Sequence, residues 1–274
     1  MDEFQPISNE IFRKIISTVR TLRNVDFTMF APDILMHRIN RSMNLHGIQF
    51  YEKLINKLMV DNCFVDLFLS EIFVPTTEMF RDDTMWKFLE EHIISKLKHE
   101  SICKIWVPQI CGDDELYSLL ILLHRNGMLD KSTVYATSPI QKILDDAKIA
   151  LIDPKKFEAS DSNFKKINDK NSLTIYLSHS DKYEYILPEL LNKVIFLRHN
   201  ILNSVSPDNA FNLVLFRDRM LYLNSNIQKM VLENFASNIV KGGYLITGIR
   251  EKIPNDFQNV FVPVSKNENI FVKV

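Results

Sequence analysis

Glycine is scarce in this chain, which contains only 6 glycines among its 274 residues. Average usage is roughly 7%, and a loop that wraps a nucleotide normally needs glycine where the backbone approaches the ligand or takes a positive φ. The sequence also contains no Gly-x-x-x-x-Gly-Lys-Ser/Thr, Gly-x-Ser-x-Gly or His-Glu-x-x-His pattern. These absences argue against P-loop NTPases, α/β-hydrolases and zinc metalloproteases.

Cysteine and long apolar runs are scarce as well. The 3 cysteines, Cys63, Cys103 and Cys111, have no Cys-x-x-Cys spacing and the 7 histidines are scattered, so neither a disulfide framework nor a metal site is expected. The strongest apolar run, residues 116–123, is too short to cross a bilayer, and the acidic start MDEFQPISNE lacks the apolar core of a signal peptide. We therefore expect a cytoplasmic protein without membrane insertion.

Neither sign of charge is in excess. The chain has 33 Lys and Arg against 34 Asp and Glu, which gives a formal net charge of -1 at pH 7. Without a global basic field the chain has no general attraction for nucleic acid, so any charged partner must be met by a local patch. No nucleic-acid partner is expected.

The stretch from Lys104 to Leu120 organises the rest of the chain. An apolar run at residues 105–107 leads into a short polar turn with Gly112 and three acids, and helical periodicity begins at Leu116. This pattern predicts a buried strand, a tight loop and a helix N-terminus. In an open α/β sheet, that is where a nucleotide-like ligand binds.

Strands alternate with helices after residue 102, as in a mostly parallel sheet covered on both faces. The predicted strands are 104–108, 133–137, 194–198, 211–216 and 244–248, and the predicted helices lie near 114–126, 140–150 and 226–240. The alternation of apolar and polar residues at 259–274 predicts an antiparallel hairpin that closes the sheet edge. The chain is therefore assigned to the α/β class.

The N-terminal part has a different pattern. Residues 1–75 predict an all-helical domain in which Ser8 caps the first helix, Pro32 opens the second and Gly47 ends it. Residues 76–101 form a linker and connecting helix, and residues 102–274 form the α/β domain. Residues 153–190, rich in Lys, Asp, Ser and Asn, predict an inserted β-subdomain with a strand at 173–177.

Six short stretches follow one another in the order of a known family. They are residues 77–81 (TEMFR), 106–118, 136–139, 200–202, 216–223 and 243–251. In these stretches the chain resembles the chemotaxis receptor methyltransferases of the CheR type, which use S-adenosylmethionine (SAM) to methylate glutamate side chains on chemoreceptors. The resemblance runs nearly end to end. It implies a Rossmann-like methyltransferase sheet with an N-terminal helical domain, SAM as cofactor, and a chemoreceptor or other signalling protein as partner.

The resemblance also implies roles for individual residues. Thr77 and Arg81 match cofactor contacts, the arginine being suited to forked hydrogen bonding with the methionine carboxylate. Glu115, Asn200 and the adjoining Ile201 match further cofactor contacts. Tyr222 matches a tyrosine expected to line the methyl site, and Tyr222 and Arg81 are the predicted catalytic residues. The residues alone also allow purely structural roles, such as a first-turn glutamate or a half-buried tyrosine.

The first loop departs from the family's pattern. Asp113 stands where the family has a glycine that lets the backbone lie against the cofactor, and Asp113 can instead cap the following helix. The small residues before that glycine become Pro108, Gln109 and Ile110. Side chains therefore occupy the approach of the cofactor.

The other predicted cofactor-binding positions, Ser138, Asp218 and Arg219, have changed too. Ser138 replaces a carboxylate that grips both ribose hydroxyls, a change expected to cost roughly 1.5–3 kcal/mol of binding free energy. Asp218 and Arg219 replace an Asn-Val pair that lies against the adenine end, and Pro75 replaces an asparagine often found in the family. These changes predict that SAM binding is weakened or lost.

The predicted substrate-binding residues are Arg38 and Arg41, which lie three positions apart on the second helix. They match arginines suited to acidic receptor segments, although paired arginines on a helix surface are more often simply solvated. The insertion at residues 153–190 lies where the family has a β-subdomain that docks a receptor peptide in some members.

Two hypotheses remain open. The first is a divergent SAM-dependent protein-glutamate O-methyltransferase with a degraded cofactor site. The second is a catalytically inactive relative, a pseudoenzyme that serves as a protein-binding or regulatory module in signal transduction. Titration with SAM distinguishes them, because only the first hypothesis requires the cofactor to bind.

Overall fold

The computed structural model describes residues 8–23, 25, 27–73, 78–111, 114–167, 171–180, 182–201 and 206–274. The chain divides into a helical unit, Met1–Val74 with Leu221–Gln228, and an α/β unit, Pro75–Met220 with Lys229–Val274. None of the helices in the described ranges is long and apolar enough to span a membrane.

Amphipathic helices build the helical unit. They are α1 (Asn9–Arg23), α2 (Pro32–Leu45), α3 (Tyr51–Val60) and α4 (Asn62–Ile72). Apolar residues recur every three or four positions on their buried faces, such as Leu35, Ile39 and Met43 on α2. The side chain of Ser8 accepts a hydrogen bond from the Ile11 amide over 3.3 Å, as its predicted capping role requires.

Three contacts hold the helical unit together beyond its apolar core. The guanidinium of Arg23 on α1 pairs with Asp66 on α4 over 2.7 Å. The amide of Ala31 donates a 2.8 Å hydrogen bond to the carbonyl of Tyr222, and Phe30 forms an antiparallel bridge with Leu223. The segment that contains Tyr222 is thereby attached to the N-terminal helices.

The described strands of the α/β unit form one large sheet and one hairpin. The strands are β1 (Cys103–Val107), β2 (Ser132–Ser138), β3 (Leu177–Ser180), β4 (Tyr183–Ile186), β5 (Val194–Arg198), β6 (Phe211–Phe216), β7 (Ile239–Thr247), β8 (Phe261–Pro263) and β9 (Ile270–Lys273). The seven-stranded sheet has the order β5-β2-β1-β6-β7-β9-β8, and β3 pairs with β4. The first five strands of this order are parallel, and β9 and β8 are antiparallel to their neighbours. The predicted α/β class and Rossmann-like sheet are confirmed.

The remaining helices cover this sheet. They are α5 (Asp83–Phe88), which continues through a π-helical turn (Leu89–Ile94) into α6 (Ser95–Leu97), then α7 (Asp114–Arg125), α8 (Gln141–Ile149), α9 (Pro154–Ile167), α10 (Pro188–Leu191) and α11 (Ser225–Asn238). Every residue of α7 from Asp114 to Leu123 is buried. A helix that is apolar around most of its circumference is buried on all sides, so the strongest apolar run of the sequence forms the central helix.

The strand order identifies one special position. From β1 the chain proceeds to β2 and β5 on one side of the sheet, and it returns to form β6 and β7 on the other side. The carboxyl ends of β1 and β6 therefore flank the topological switch point, where open α/β sheets bind ligands.

Two predicted strand boundaries are wrong. Residues 173–177 do not form a strand, since Leu173–Tyr176 is a 3-10 turn and β3 begins at Leu177. The carboxylate of Asp161 accepts hydrogen bonds from the Leu173 amide and the Ser172 hydroxyl, each over 2.7 Å, and this fixes the turn. The predicted strand 244–248 is part of β7, which begins earlier, at Ile239.

A polar cluster holds the first two strands of the sheet to the segment before β6. The carboxylate of Asp208 accepts a 2.5 Å hydrogen bond from the Tyr135 hydroxyl and pairs with Lys104 over 2.8 Å. Burial opposes ionisation of Asp208, but Lys104 and Tyr135 together lower the pKa of its carboxyl. Burial, assisted by the neighbouring carboxylate, raises the pKa of Tyr135 to about 12.

Replacing Asp208 tests this cluster through the pH dependence of stability. Because the folded-state pKa is lowered, the ionised carboxylate stabilises the fold above the unfolded pKa of roughly 4. Asp208→Asn should lower the free energy of unfolding by about 1–3 kcal/mol at pH 7. The deficit should shrink as the pH falls through the folded pKa, measured by urea unfolding at several pH values. A deficit that is equal at pH 7 and pH 3 would contradict this assignment.

Candidate functional site

The loop after β1 folds back onto the neighbouring strand. Gln109 takes a positive φ of 51°, and the amide of Ile110 donates a 2.8 Å hydrogen bond to the carbonyl of Thr137 near the end of β2. Ile110 is only 1% exposed, so its side chain fills space at this edge of the sheet. Asp113, the predicted helix cap, lies outside the described residues.

Glu115 is a buried carboxylate shared by two arginines. It lies in the first turn of α7, where a negative charge is favoured by the helix dipole, and its side chain is 4% exposed. It accepts hydrogen bonds from Arg217 Nη1 over 3.1 Å and from Arg219 Nη1 over 2.9 Å. Both arginines belong to the loop after β6, so Glu115 joins the two sides of the switch point.

Arg219 extends this contact to the first loop. Its Nε donates a 2.7 Å hydrogen bond to the carbonyl of Gln109, and its Nη1 donates to the carbonyl of Arg217, also over 2.7 Å. Burial alone would lower the pKa of Arg219, but the carboxylate of Glu115 more than reverses that effect and raises it. The guanidinium is therefore a permanent cation held between β1, β6 and α7.

Two further ion pairs complete the group. Arg81 pairs with the carboxylate of Asp218, and Arg217 pairs with the carboxylate of Asp82. We call Arg81, Asp82, Glu115, Arg217, Asp218 and Arg219 the Glu115 cluster. Its three guanidinium groups and three carboxylates balance, so the charges of the Glu115 cluster are neutralised internally.

Gly248, at the end of β7, makes room for the loop that carries Asp218. A Cβ atom on Gly248 would lie 2.7 Å from the Asp218 amide nitrogen, closer than real Cβ contacts come. Glu251 accepts hydrogen bonds from the amides of Asp218 and Gly248, over 3.0 and 2.6 Å. Asn269 in turn donates to the carbonyls of Gly248 and Glu251. Residues 243–251, one of the six stretches that carry the family resemblance, therefore hold the loop after β6 in position.

Left-handed backbone is concentrated in and around the cluster. Of the six described non-glycine residues with positive φ, four are Phe80 (56°), Asp82 (59°), Gln109 (51°) and Asp218 (54°). Each such residue costs roughly 1–2 kcal/mol relative to ordinary backbone. Strain of this kind persists where the surroundings determine the conformation, most often at functional sites. Here the surroundings include Ser118, whose hydroxyl accepts a 2.9 Å hydrogen bond from the Phe80 amide.

The cluster contains four of the predicted site residues: Arg81, Glu115, Asp218 and Arg219. The structure pairs Asp218 with Arg81 and Arg219 with Glu115, and the predicted place of both residues beside an adenine ring stays a prediction. Asp82 and Arg217 were missed as members. The alternation of charge in Arg217-Asp218-Arg219 was the available signal, but the ion-pair partners of these residues lie 102 to 137 positions away in the chain.

The other predicted cofactor residues follow neighbouring strands. Ser138 ends β2, is fully buried, and accepts a 3.4 Å hydrogen bond at its hydroxyl from the Ile140 amide. Asn200 is half-buried and Ile201 is buried, and both come after β5. Thr77 lies outside the described residues.

Three predicted residues belong to the helical unit. Arg38 is half-buried and Arg41 is exposed on α2, and Tyr222 is half-buried in a 3-10 turn (Met220–Tyr222). Their substrate and methyl-site roles stay predictions.

The described part of the site contains no metal-binding group, and its one described thiol, Cys111, is half-buried. No group of three or more His, Cys, Asp and Glu side chains among them is arranged to hold a metal ion. Cys111 donates a 3.0 Å hydrogen bond to the Gln109 carbonyl, and burial raises the pKa of its thiol. This thiol is protonated near neutral pH, so it is a poor nucleophile.

Replacing Glu115 should destabilise the fold strongly. Glu115→Gln leaves Arg217 and Arg219 buried with one carboxylate fewer, and breaking a buried pair costs about 3–5 kcal/mol. A matched control is Asp146→Asn, which breaks the exposed 2.9 Å pair with Lys142 and should cost at most about 0.5 kcal/mol. Urea unfolding measures both. Similar losses for the two variants would show that the cluster does not support the fold.

Comparison with known proteins identifies the family of this chain. Residues 75–270, more than half of the chain, match the family model of the CheR methyltransferase, SAM binding domain. A Pseudomonas putida protein that carries the name methyltransferase Cher3 is 23% identical over 265 residues, 95% of this chain and 96% of that protein. A chemotaxis protein methyltransferase of Listeria innocua is 24% identical over 84% of this chain and 86% of its own length.

Among solved structures, an O-methyltransferase family protein from Burkholderia thailandensis matches with a TM-score of 0.39 and 13% identity, over 72% of this chain and 44% of that one. The matched residues include strands β1 to β8 and every residue of the Glu115 cluster. The chain belongs to the CheR methyltransferase family.

Proposed function

We propose that this chain is a SAM-dependent protein carboxyl methyltransferase that acts on glutamate side chains of chemoreceptor-type signalling proteins and holds its cofactor weakly. The observation that carries the proposal is the convergence of Arg81, Glu115 and Arg217 at the switch point of the sheet. Guanidinium groups and a carboxylate at one site suit a ligand with a carboxylate and an ammonium group. The relatives named chemotaxis protein methyltransferase support the choice of substrate.

The residues of the cluster fit the amino-acid end of SAM. Arg81, with a side chain 29% exposed, would hold the carboxylate through its planar fork of donors. Glu115 would hold the ammonium group. When bound, SAM supplies an activated methyl group, and a glutamate acceptor is already ionised near neutral pH. The chain therefore needs no general base, and it contributes alignment and the exclusion of water.

Weak binding follows from the ion pairs already present. Asp218 and Arg219 stand where the resemblance implies an Asn-Val pair. Asp218 pairs with Arg81 and Arg219 pairs with Glu115, so each replacement supplies a counter-ion to one of the retained groups. The two side chains imitate the carboxylate and the cation of an amino acid. A ligand must displace them, at a cost of about 1.5–3 kcal/mol for each charged contact.

A second function is favoured by the same contacts. If the ligand cannot displace Asp218 and Arg219, the chain is a catalytically inactive relative that serves as a protein-binding or regulatory module. Two features support this alternative. Ile110 is buried and its amide is hydrogen-bonded to the carbonyl of Thr137, and Ser138 stands where the family resemblance implies a ribose-binding carboxylate. The two functions differ in whether SAM binds at all.

Calorimetric titration with SAM and S-adenosylhomocysteine decides between them. We expect wild-type dissociation constants of about 10–1000 µM, which correspond to roughly 4–7 kcal/mol. Asp218→Asn with Arg219→Val should tighten binding at least about 10-fold because it releases Arg81 and Glu115. The control is Asp146→Asn with Lys142→Val, which makes equivalent changes in an exposed ion pair and should not alter affinity.

Each outcome has a distinct meaning. No heat from either the wild type or the cluster variant at millimolar ligand would overturn the enzymatic function and favour the regulatory module. Wild-type binding that the cluster variant does not improve would overturn the account of Asp218 and Arg219 as internal competitors.

A further inference from the structure

Gln109 carries a hydrogen-bond donor that is buried and unused. The residue is 5% exposed, and its side-chain Nε2 has no hydrogen-bond partner within the described structure. More than about 90% of buried polar groups in proteins are paired, because an unpaired buried donor loses its hydration without compensation. A buried amide of this kind calls for a specific explanation.

The backbone of Gln109 is unusual as well. It takes a left-handed conformation with φ of 51°, which L-residues with a side chain rarely adopt. Its carbonyl accepts hydrogen bonds from Arg219 Nε and Cys111 Sγ, over 2.7 and 3.0 Å. One residue at the switch point thus combines a strained backbone with an unsatisfied side chain, a combination typical of ligand-binding positions.

The carboxylate of Glu115, next to Gln109, is already bonded to two arginines and accepts no hydrogen bond from Gln109 in the described structure. Glu115 Oε1 is bonded to Arg217 and Glu115 Oε2 to Arg219. Arg217 Nε is a second buried donor without a partner. The described site therefore has unpaired donors, and a ligand that satisfies them must bring acceptor atoms.

We propose that the side-chain amide of Gln109 is a ligand-binding group that donates a hydrogen bond to an oxygen of the bound cofactor when Arg219 is displaced. This inference rests on the proposed function and adds a contact to it. The acceptor is an oxygen of the carboxylate or of the ribose, since a neutral N–H donor gains nothing from the cofactor's sulfonium or ammonium groups. Gln109 would thereby replace part of the polar recognition that Ser138 cannot supply.

The test is Gln109→Met, which keeps an unbranched side chain of similar size and removes the amide. We expect binding of S-adenosylhomocysteine to weaken about 3- to 10-fold. The melting temperature should stay the same or rise, because an unpaired buried donor has been removed. A purely structural glutamine would give the opposite pair of results, an unchanged affinity and a lower melting temperature. Gln141→Met is the matched control, since Gln141 is exposed and its side chain donates a hydrogen bond to Asp145 on its own helix.

The titrations use both the wild-type background and the Asp218→Asn, Arg219→Val background, where affinity is expected to be higher. Methylthioadenosine, which retains the adenine and ribose and lacks the amino-acid end, narrows down the acceptor. A loss of affinity for both ligands assigns the contact to the nucleoside part that contains the ribose, and a loss confined to S-adenosylhomocysteine assigns it to the amino-acid end that contains the carboxylate. Undiminished binding by Gln109→Met overturns this inference alone. Absence of binding in every background overturns the proposed function together with it.

Discussion

The pairing of Glu115 with two buried arginines is the interaction on which this edge of the molecule depends. A carboxylate that is 4% exposed is unfavourable unless its charge is matched, and among the described residues Arg217 and Arg219, both in the loop after β6, match it. The positions of α7, the loop after β1 and the loop after β6 are therefore fixed by one electrostatic requirement. Gly248 and Glu251 serve the same requirement, since they hold the backbone of Asp218 in its left-handed conformation.

These ion pairs explain how the chain forms the loops of the site with few glycines. In a glycine-rich loop the backbone is held against a ligand and bends freely where it must. Here Phe80, Asp82, Gln109 and Asp218 take positive φ with side chains attached, and the contacts of the Glu115 cluster and of Ser118 offset the strain. The result is a loop arrangement that is stable without a ligand. That stability is also an obstacle to any ligand that must enter.

The local parts of this architecture could be predicted from the sequence, and the long-range pairings could not. Residues 194–198 and 211–216 form β5 and β6 with the expected boundaries, because β-branched and aromatic runs bounded by polar segments determine them locally. Residues 173–177 resemble a strand by composition. A hydrogen bond to Asp161, which lies on α9, nevertheless fixes most of this segment as a turn. Asp218 and Arg219 could be recognised as departures. Their partners could not, because ion pairs between residues 100 positions apart leave no local pattern.

Asp218 and Arg219, which depart from the family's pattern, neutralise Arg81 and Glu115, which match it. Random decay of a site would not be expected to produce such pairs. If the site were no longer under selection, Arg81 and Glu115 could each be replaced by an uncharged residue or become exposed, independently of each other. The chain instead holds a balanced set of charges in which Asp218 pairs with Arg81 and Arg219 pairs with Glu115. The balance of charge does not extend to every hydrogen-bond donor, since Gln109 Nε2 and Arg217 Nε have no acceptors within the described residues. A site closed only for stability would have no reason to keep unpaired donors. The combination of a neutralised cluster with unpaired donors therefore favours a cofactor site whose charged groups pair with each other when no ligand is bound, over a site that has lost its ligand altogether.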